Sequence, residues 1–193
     1  MTEPTPANTT AVEQTATRED GTATAETPTV AVVAVGNEIM GDDGVGPHLI
    51  RRLEATDLAA DEEVALVNAG TTGFFALEAM SGCEFAVVLD AMQTGADPGT
   101  VHEYRCIEGT FSGERPEMTM HDVSFTEALS YSRPVYDLPD EIRILGIEPA
   151  VIEPSVDLSP ELTAELPGVI DMVTSYIERA VDGDHPTQQE REQ

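Results

Sequence analysis

The sequence predicts an α/β fold, a single domain with a doubly wound, mainly parallel five-stranded sheet and helices on both faces. Three observations predict it. Short apolar, β-branched runs such as Val30-Ala31-Val32-Val33-Ala34-Val35 recur and stop abruptly at Gly or Asp, as strands buried on both faces do. Segments with helical apolar spacing separate these runs. Strand and helix alternate along the chain, which builds a parallel sheet covered on both sides. The chain has 193 residues, 40% of them hydrophobic, enough to fill the core of one such domain.

The elements follow in order. Residues 1–28 are Thr, Ala, Pro and Glu without periodicity and are expected to form a disordered acidic leader. The folded domain is expected over 29–182, with a second disordered tail over 183–193. A first strand is expected at 29–35. The helix behind it starts at Pro47, a residue suited to a first turn, and runs to about Thr56 with Leu49, Ile50 and Leu53 inward. A second strand at 63–69 leads through Gly70-Thr71-Thr72-Gly73 into a short helix ending at Met80. The third strand, 84–89, ends at Asp90. Ala96-Asp97-Pro98-Gly99 makes a turn, and 100–106 alternates well enough to sit nearer an edge. A polar loop, 108–121, precedes a helix capped by Asp122, with Phe125 and Leu129 inward. The last strand is Glu141–Ile147. Ser159-Pro160 opens the final helix, whose apolar stripe is expected at Ile170, Val173, Ile177 and Ala180.

Charge sets the second constraint. The formal net charge is −28 and the chain contains no lysine. Residues 29–181 hold 28 of the 37 acidic side chains against seven arginines, so the folded body itself carries −21. Such a surface fits concentrated salt, where the Debye length falls to ~3 Å and self-repulsion is screened. The acidity is thus an adaptation to solvent. Without a basic stripe, nucleic acid is excluded as a partner. No segment approaches the ~20 apolar residues of a membrane span, and the N-terminus lacks the basic and apolar regions of a secretory signal. Cys83 and Cys106 show no C-x-x-C spacing and are expected as buried thiols of a cytoplasmic protein.

The chemistry concentrates behind the first strand, in Gly36-Asn37-Glu38-Ile39-Met40-Gly41-Asp42-Asp43-Gly44-Val45-Gly46. Open α/β sheets place ligands at this carboxyl edge. A P-loop would need Gly-Lys-Ser/Thr, the dinucleotide G-x-G-x-x-G is absent, and the EF-hand spacing fails. Two carboxylates in a glycine-rich turn suit a metal cation or acid–base work. Asp90 should emerge at the same edge, and in a sheet of order 2-1-3-4-5 it would face Asp43 across the crevice. The competing role for Asp90 is to cap the following turn. Of the histidines, His48 lies at a helix start, His102 in the strand near an edge and His185 in the tail. His121 ends the long polar loop, a common place for function. Two carboxylates and one imidazole would suit Ni, Zn, Mn or Fe.

These residues resemble a known family. Strand-then-G-N-x-x-x-G-D-D-G-x-G is similar to the opening motif of the [NiFe]-hydrogenase maturation endopeptidases. The resemblance covers roughly 29–181 and includes Gly70-Thr71, Asp90-Ala91, Met120-His121, Gly146-Ile147-Glu148-Pro149 and Leu158-Ser159-Pro160-Glu161-Leu162. It implies an endopeptidase that removes a C-terminal extension from the precursor of the hydrogenase large subunit after nickel insertion. It further implies Asp43, Asp90 and His121 as both metal-contacting and catalytic residues. Gly36, Asn37, Asp42, Gly44, Gly46, Gly70 and Thr71 would form the supporting loops. The nickel would arrive with the substrate and not be permanently bound. The family usually has an acidic residue where this chain has Asn68, which places the accessory role of that position in question. Two other readings compete: a non-catalytic metal-binding or assembly module on the same fold, and an ordinary α/β domain whose carboxylates only cap turns.

The charge predicts a salt requirement. Screening length grows from ~3 Å at 1 M salt to ~10 Å at 0.1 M, so the melting midpoint should rise steadily with KCl. A midpoint that is flat or falls across the series refutes the salt-adapted reading.

Overall fold

Residues 27–112, 119–120 and 123–183 are described by a computed structural model of the chain. The expected leader and tail, apart from residues 27, 28 and 183, lie outside the described residues. In chain order the strands are β1 (Val30–Ala34), β2 (Val64–Asn68), β3 (Phe85–Ala91), β4 (Val101–Ile107), β5 (Thr110–Phe111), β6 (Thr119–Met120), β7 (Val123–Ser124) and β8 (Glu141–Ile147). The helices are α1 (Val45–Leu53), α2 (Gly73–Ala79), α3 (Phe125–Ser132) and α4 (Pro160–Val181), with 3₁₀ turns at Gly41–Gly44 and Asp57–Ala60.

The main sheet has the order β2-β1-β3-β8-β4-β5, and β6 pairs with β7 in a separate ribbon. Strands β2, β1, β3 and β8 are mutually parallel. β4 runs antiparallel to β8, and β5 antiparallel to β4. This corrects the expected order 2-1-3-4-5. The last strand inserts beside β3, and the alternating strand moves outward. The physical reason is burial: β8 is buried over nearly its whole length, its Glu141 and Arg143 paired with each other, so it takes a central place, whereas half-polar β4 tolerates a place near the edge. The short β5 adds a sixth strand, from within the loop expected at 108–121.

Side chains alternate across the sheet. Val30, Val32 and Ala34 face α1 and α4, together with Leu49, Leu53, Leu162 and Val173. Ala31, Val33 and Val35 face the opposite layer, with Ala76 and Leu77 of α2, Met80 just after it and Leu129 of α3. The sheet is therefore covered on both sides, as the period-2 runs require. The buried stripe of α4 is Leu162, Leu166, Val169, Val173, Ile177 and Ala180. Ile170 is only partly buried beside it, because Val169 occupies the position that the helical repeat brings inward. On β4 and β8, Glu141 accepts from Arg105 Nε and Nη2 at 2.9 Å and from Arg143 Nε at 2.7 Å. Arg143 also bonds Glu103 and stacks on Tyr176 of α4 at 5.2 Å. Bidentate geometry of this kind is what arginine offers and lysine does not.

One buried charge ties the loops at the carboxyl edge. Asp42 has no exposed surface. Its Oδ2 accepts from the N–H groups of Ala150 and Val151 at 2.9 and 3.0 Å, and its Oδ1 from Ser159 N–H at 2.7 Å. Ser159 is itself the N-cap of α4, accepting from Leu162 N–H. The expected supporting role of Asp42 is thus exercised on donors more than 100 residues away, not within its own loop. Asp42→Asn turns an NH₂ group toward N–H donors and removes the charge, so we expect a loss of about 3 kcal/mol of stability. Urea unfolding of the variant checks this, and an unchanged midpoint would show that the carboxylate is dispensable.

Candidate active site

The first turn behind β1 closes on itself. Gly36 has φ +137°, and a Cβ there would lie 2.0 Å from the Asp43 carbonyl oxygen, so only glycine fits. The closure brings Asn37 N–H to donate to Asp43 Oδ2 at 3.0 Å. Gly46, in the first turn of α1, lies against the chain ends of β1 and β3. A Cβ there would meet the carbonyl oxygens of Val35 and Leu89 at 2.6 Å. Helix α1 can therefore start directly over the crevice between the two strands, carrying the Gly41–Gly44 turn with it.

Asp90 sits in β3 in register with Gly146 of β8, one residue further into the strand than expected. It is 8% exposed. Burial pushes its pKa up to about 7, the charge of Asp43 adds to the rise, and the Ala91 N–H bond opposes it. Asp43 and Asp90 are thus close enough to repel, the juxtaposition expected from strands one and three being neighbours.

His121 lies outside the described residues. Met120 and Val123 on either side of it pair in the β6–β7 ribbon at the start of α3. Among the described residues no three His, Cys, Asp or Glu side chains form a ready ion cage. Of the three donors expected from sequence, Asp43 and Asp90 are among the described residues. His48 reaches the Val156 carbonyl at 3.2 Å.

Gly70 donates its N–H to Asn68 Oδ1 at 3.0 Å, and its carbonyl accepts from Gly36 N–H at 2.9 Å. The loop after β2 is thereby fastened to the loop after β1. Asn68 Nδ2 donates to Glu38 Oε1 at 2.8 Å, and Glu38 pairs with Arg51 at 3.1 Å. A carboxylate thus stands at the rim beside Asn68, supplied by the neighbouring loop.

A second polar cluster at this edge was not singled out from sequence. Glu148, directly after β8, is buried. It accepts from the N–H and hydroxyl of Thr94 at 2.8 and 2.7 Å and from Gly95 N–H at 3.0 Å. His102 Nε2 lies 3.1 Å from Thr94 Oγ1 and 3.5 Å from Glu148. Burial works to raise the Glu148 pKa, but the Thr94 and Gly95 bonds and the His102 charge outweigh it, and the net shift is downward. Because β4 is antiparallel, its first residues reach the carboxyl edge, and His102 arrives there. The available signal was the lone acid in Gly146-Ile147-Glu148-Pro149, at the end of a buried strand.

A family model described as hydrogenase maturation protease matches residues 47–176. The chain belongs to the hydrogenase maturation protease family. It is therefore a peptidase. The hydrogenase expression/formation protein HupD of Thiocapsa roseopersicina is 25% identical over 152 residues, spanning 78% of this chain and 68% of that protein. The hydrogenase 2 maturation protease of Escherichia coli (strain K12) is 24% identical over 151 residues, spanning 77% and 90%. Among solved structures, the hydrogenase maturating endopeptidase HybD from E. coli shares the fold with a TM-score of 0.63 at 22% identity, covering 78% of this chain and 93% of that one. The hydrogenase 2 maturation peptidase from Thaumarchaeota archaeon SCGC_AB-539-E09 gives a TM-score of 0.57 at 27% identity, covering 77% and 97%.

The raised pKa of Asp90 has a sign that can be measured on this protease. Its folded value, about 7, exceeds its ordinary value of 3.8. Between those values the native state holds a proton that the unfolded chain has lost. Stability through this group therefore falls as pH rises from about 4 to about 7 and then levels off, a total of up to about 4 kcal/mol. The melting advantage of Asp90→Asn over wild type, measured without metal, should grow across that window. A difference that is constant or shrinks would show that Asp90 is not held protonated.

Proposed function

We propose that this protease removes a C-terminal extension from the nickel-loaded precursor of a [NiFe]-hydrogenase large subunit, using the substrate's nickel as its recognition element. The observation that carries this reading is the Asp43–Asp90 pair. Two carboxylates held together at a sheet edge repel each other, and burial keeps one protonated near neutrality. A divalent cation reverses that balance: it displaces the proton and converts repulsion into attraction on both oxygens. A precursor without its metal offers no such gain. Cleavage thereby becomes conditional on a finished metal site.

In this reading Asp43, Asp90 and His121 are the nickel contacts and the catalytic set. Carboxylate and imidazole donors suit a borderline cation such as nickel. Peptide hydrolysis then needs an activated water and a stabilised oxyanion. The nickel can polarise the scissile carbonyl or acidify water, or it can serve only to register the bond while a carboxylate takes the proton of the attacking water. In both routes the C–N bond breaks and the leaving amine takes up a proton. Gly36, Gly44, Gly46 and Gly70 would keep the supporting loops close, with Asn37 orienting Asp43, Asp42 anchoring the turn and Thr71 extending the Gly70 loop.

We read the 29–182 span as the catalytic domain, and the acid-rich body as an adaptation to concentrated salt. The cytoplasm is the compartment we assign. Both cysteines are free and buried, and no helix among the described residues is long and apolar enough to cross a membrane.

Asp43→Asn, Asp90→Asn and His121→Ala should each lower kcat/KM for the nickel-loaded precursor at least about 100-fold, with circular dichroism unchanged. The mass of the precursor before and after incubation gives the readout. If all three variants still shorten it, the assigned site is wrong. If wild type binds the loaded precursor but leaves its mass unchanged, the chain acts as an assembly module instead.

A further inference from the structure

Eight large apolar side chains are conspicuously exposed among the described residues, and six of them stand on loops or a helix start at the carboxyl edge. Ile39, Phe74, Phe75, Val151, Ile152 and Val156 are between 38% and 65% exposed. Tyr131 and Val135 are the other two, and they lie at the end of α3 and just beyond it, toward the start of β8 and the opposite edge. A surface this rich in acids has no solubility reason to collect apolar groups in one place.

The six residues form two blocks that flank the Asp43–Asp90 crevice. On one side Ile39 is laced to the segment after β8: its carbonyl accepts from Ser155 N–H at 3.1 Å, and Gly41 N–H donates back to the Ser155 carbonyl at 2.9 Å. Val151, Ile152 and Val156 stand on that segment, which Asp42 also holds. On the other side Phe74 and Phe75 open α2, behind the Gly70 loop that is fastened to Gly36. The loop carrying Asp43 joins the two blocks: its Ile39 belongs to the first, and its Gly36 is bonded to the Gly70 loop beside the second.

We infer that this apolar collar is the docking surface for an extended, apolar stretch of the large-subunit precursor on either side of its nickel-bearing point. The inference rests on the proposed endopeptidase function and adds what selects the substrate. Charge argues for this occupant. A segment that carries a cation is drawn to the Asp43–Asp90 pair at contact distance, where salt screens least, whereas a second copy of a body at −21 brings mainly further carboxylates to it. Concentrated salt screens ionic steering to within a few ångströms but leaves apolar burial intact. In that solvent the collar supplies the affinity, and the carboxylates test for the metal.

The test compares full-length wild type with Phe74→Ser/Phe75→Ser, Ile152→Ser/Val156→Ser and, as a control, Tyr131→Ser/Val135→Ser. KM and kcat are read from the mass shift of the nickel-loaded precursor, and its binding is read separately by biolayer interferometry in molar KCl. The two collar variants should raise KM and the dissociation constant about tenfold or more with kcat within about twofold, and the control pair should match wild type. Unchanged KM and binding in both collar variants overturns the inference while leaving the protease reading intact. Precursor that binds through the collar but is never cleaved keeps the inference and removes the protease reading. A collar variant that only changes the size of the free protein in light scattering would make the collar a contact between copies, and overturn it.

Discussion

The carboxyl edge of this sheet depends on the buried Asp42 carboxylate. Three N–H donors from two distant points of the chain converge on it. A charge without exposed surface is stable only when hydrogen bonds replace its hydration shell, and here the replacement links three elements. The turn after β1 is fixed against the segment after β8, and both are fixed against the first turn of α4. The strands alone would bring their ends to the same edge. They would not set the distance between loops that leave neighbouring strands in different directions. The clamp does so, and Gly36 and Gly46 allow the approach by removing the side chains that would obstruct it.

Against that rigid frame the Asp43–Asp90 pair is a local conflict. The frame holds two acids close, and one of them responds by keeping its proton. In a flexible loop the two would separate and both would ionise. In the proposed reading, rigidity converts this geometry into a preference for a cation, because positive charge relieves the repulsion without movement. The same logic explains why the acidity of the rest of the body does not blur the signal. Most of its other charges lie on solvated surface where salt screens them, and the buried Asp42, Glu141 and Glu148 are each committed to N–H or guanidinium donors, whereas this pair is partly withdrawn from solvent and unrelieved.

Much of this was legible in the chain. The run 30–35, the stretch Glu141–Ile147 and the Ser159-Pro160 helix start all appear where apolar periodicity and capping chemistry place them. The neighbourhood of Asp43 and Asp90 followed from a rule about adjacent strands. The misses share a cause. That β8 would insert between β3 and β4, that Asp42 would find donors more than 100 residues away, and that His102 would reach Glu148 are all long-range pairings. A local pattern shows that a strand is half-buried but not which neighbour buries it. Antiparallel β4 is the clearest case. Its alternation revealed a place near the edge, yet its direction, which delivers His102 to the ligand side, depends on pairing with a strand 40 residues further on.

The neighbours Asp42 and Asp43 show how one dipeptide carries two jobs. They lie in a single 3₁₀ turn, Gly41–Gly44, where successive side chains diverge by roughly 120°. Only one can point inward, and only one can lead to the crevice. Asp42 is wholly buried against backbone donors, while Asp43 stays partly exposed and accepts a single N–H, that of Asn37, among the hydrogen bonds described. The structural acid has its oxygens committed, so it has little capacity left for a ligand. The other keeps acceptor capacity free, at the spot where the first acid has locked the turn. A helical turn with looser pitch, or a single acid at either position, would separate anchoring from ligation. With Asp43 as the proposed nickel contact, the anchor beside it fixes that contact's direction through one peptide unit, the shortest covalent path by which rigidity can be passed to a functional group.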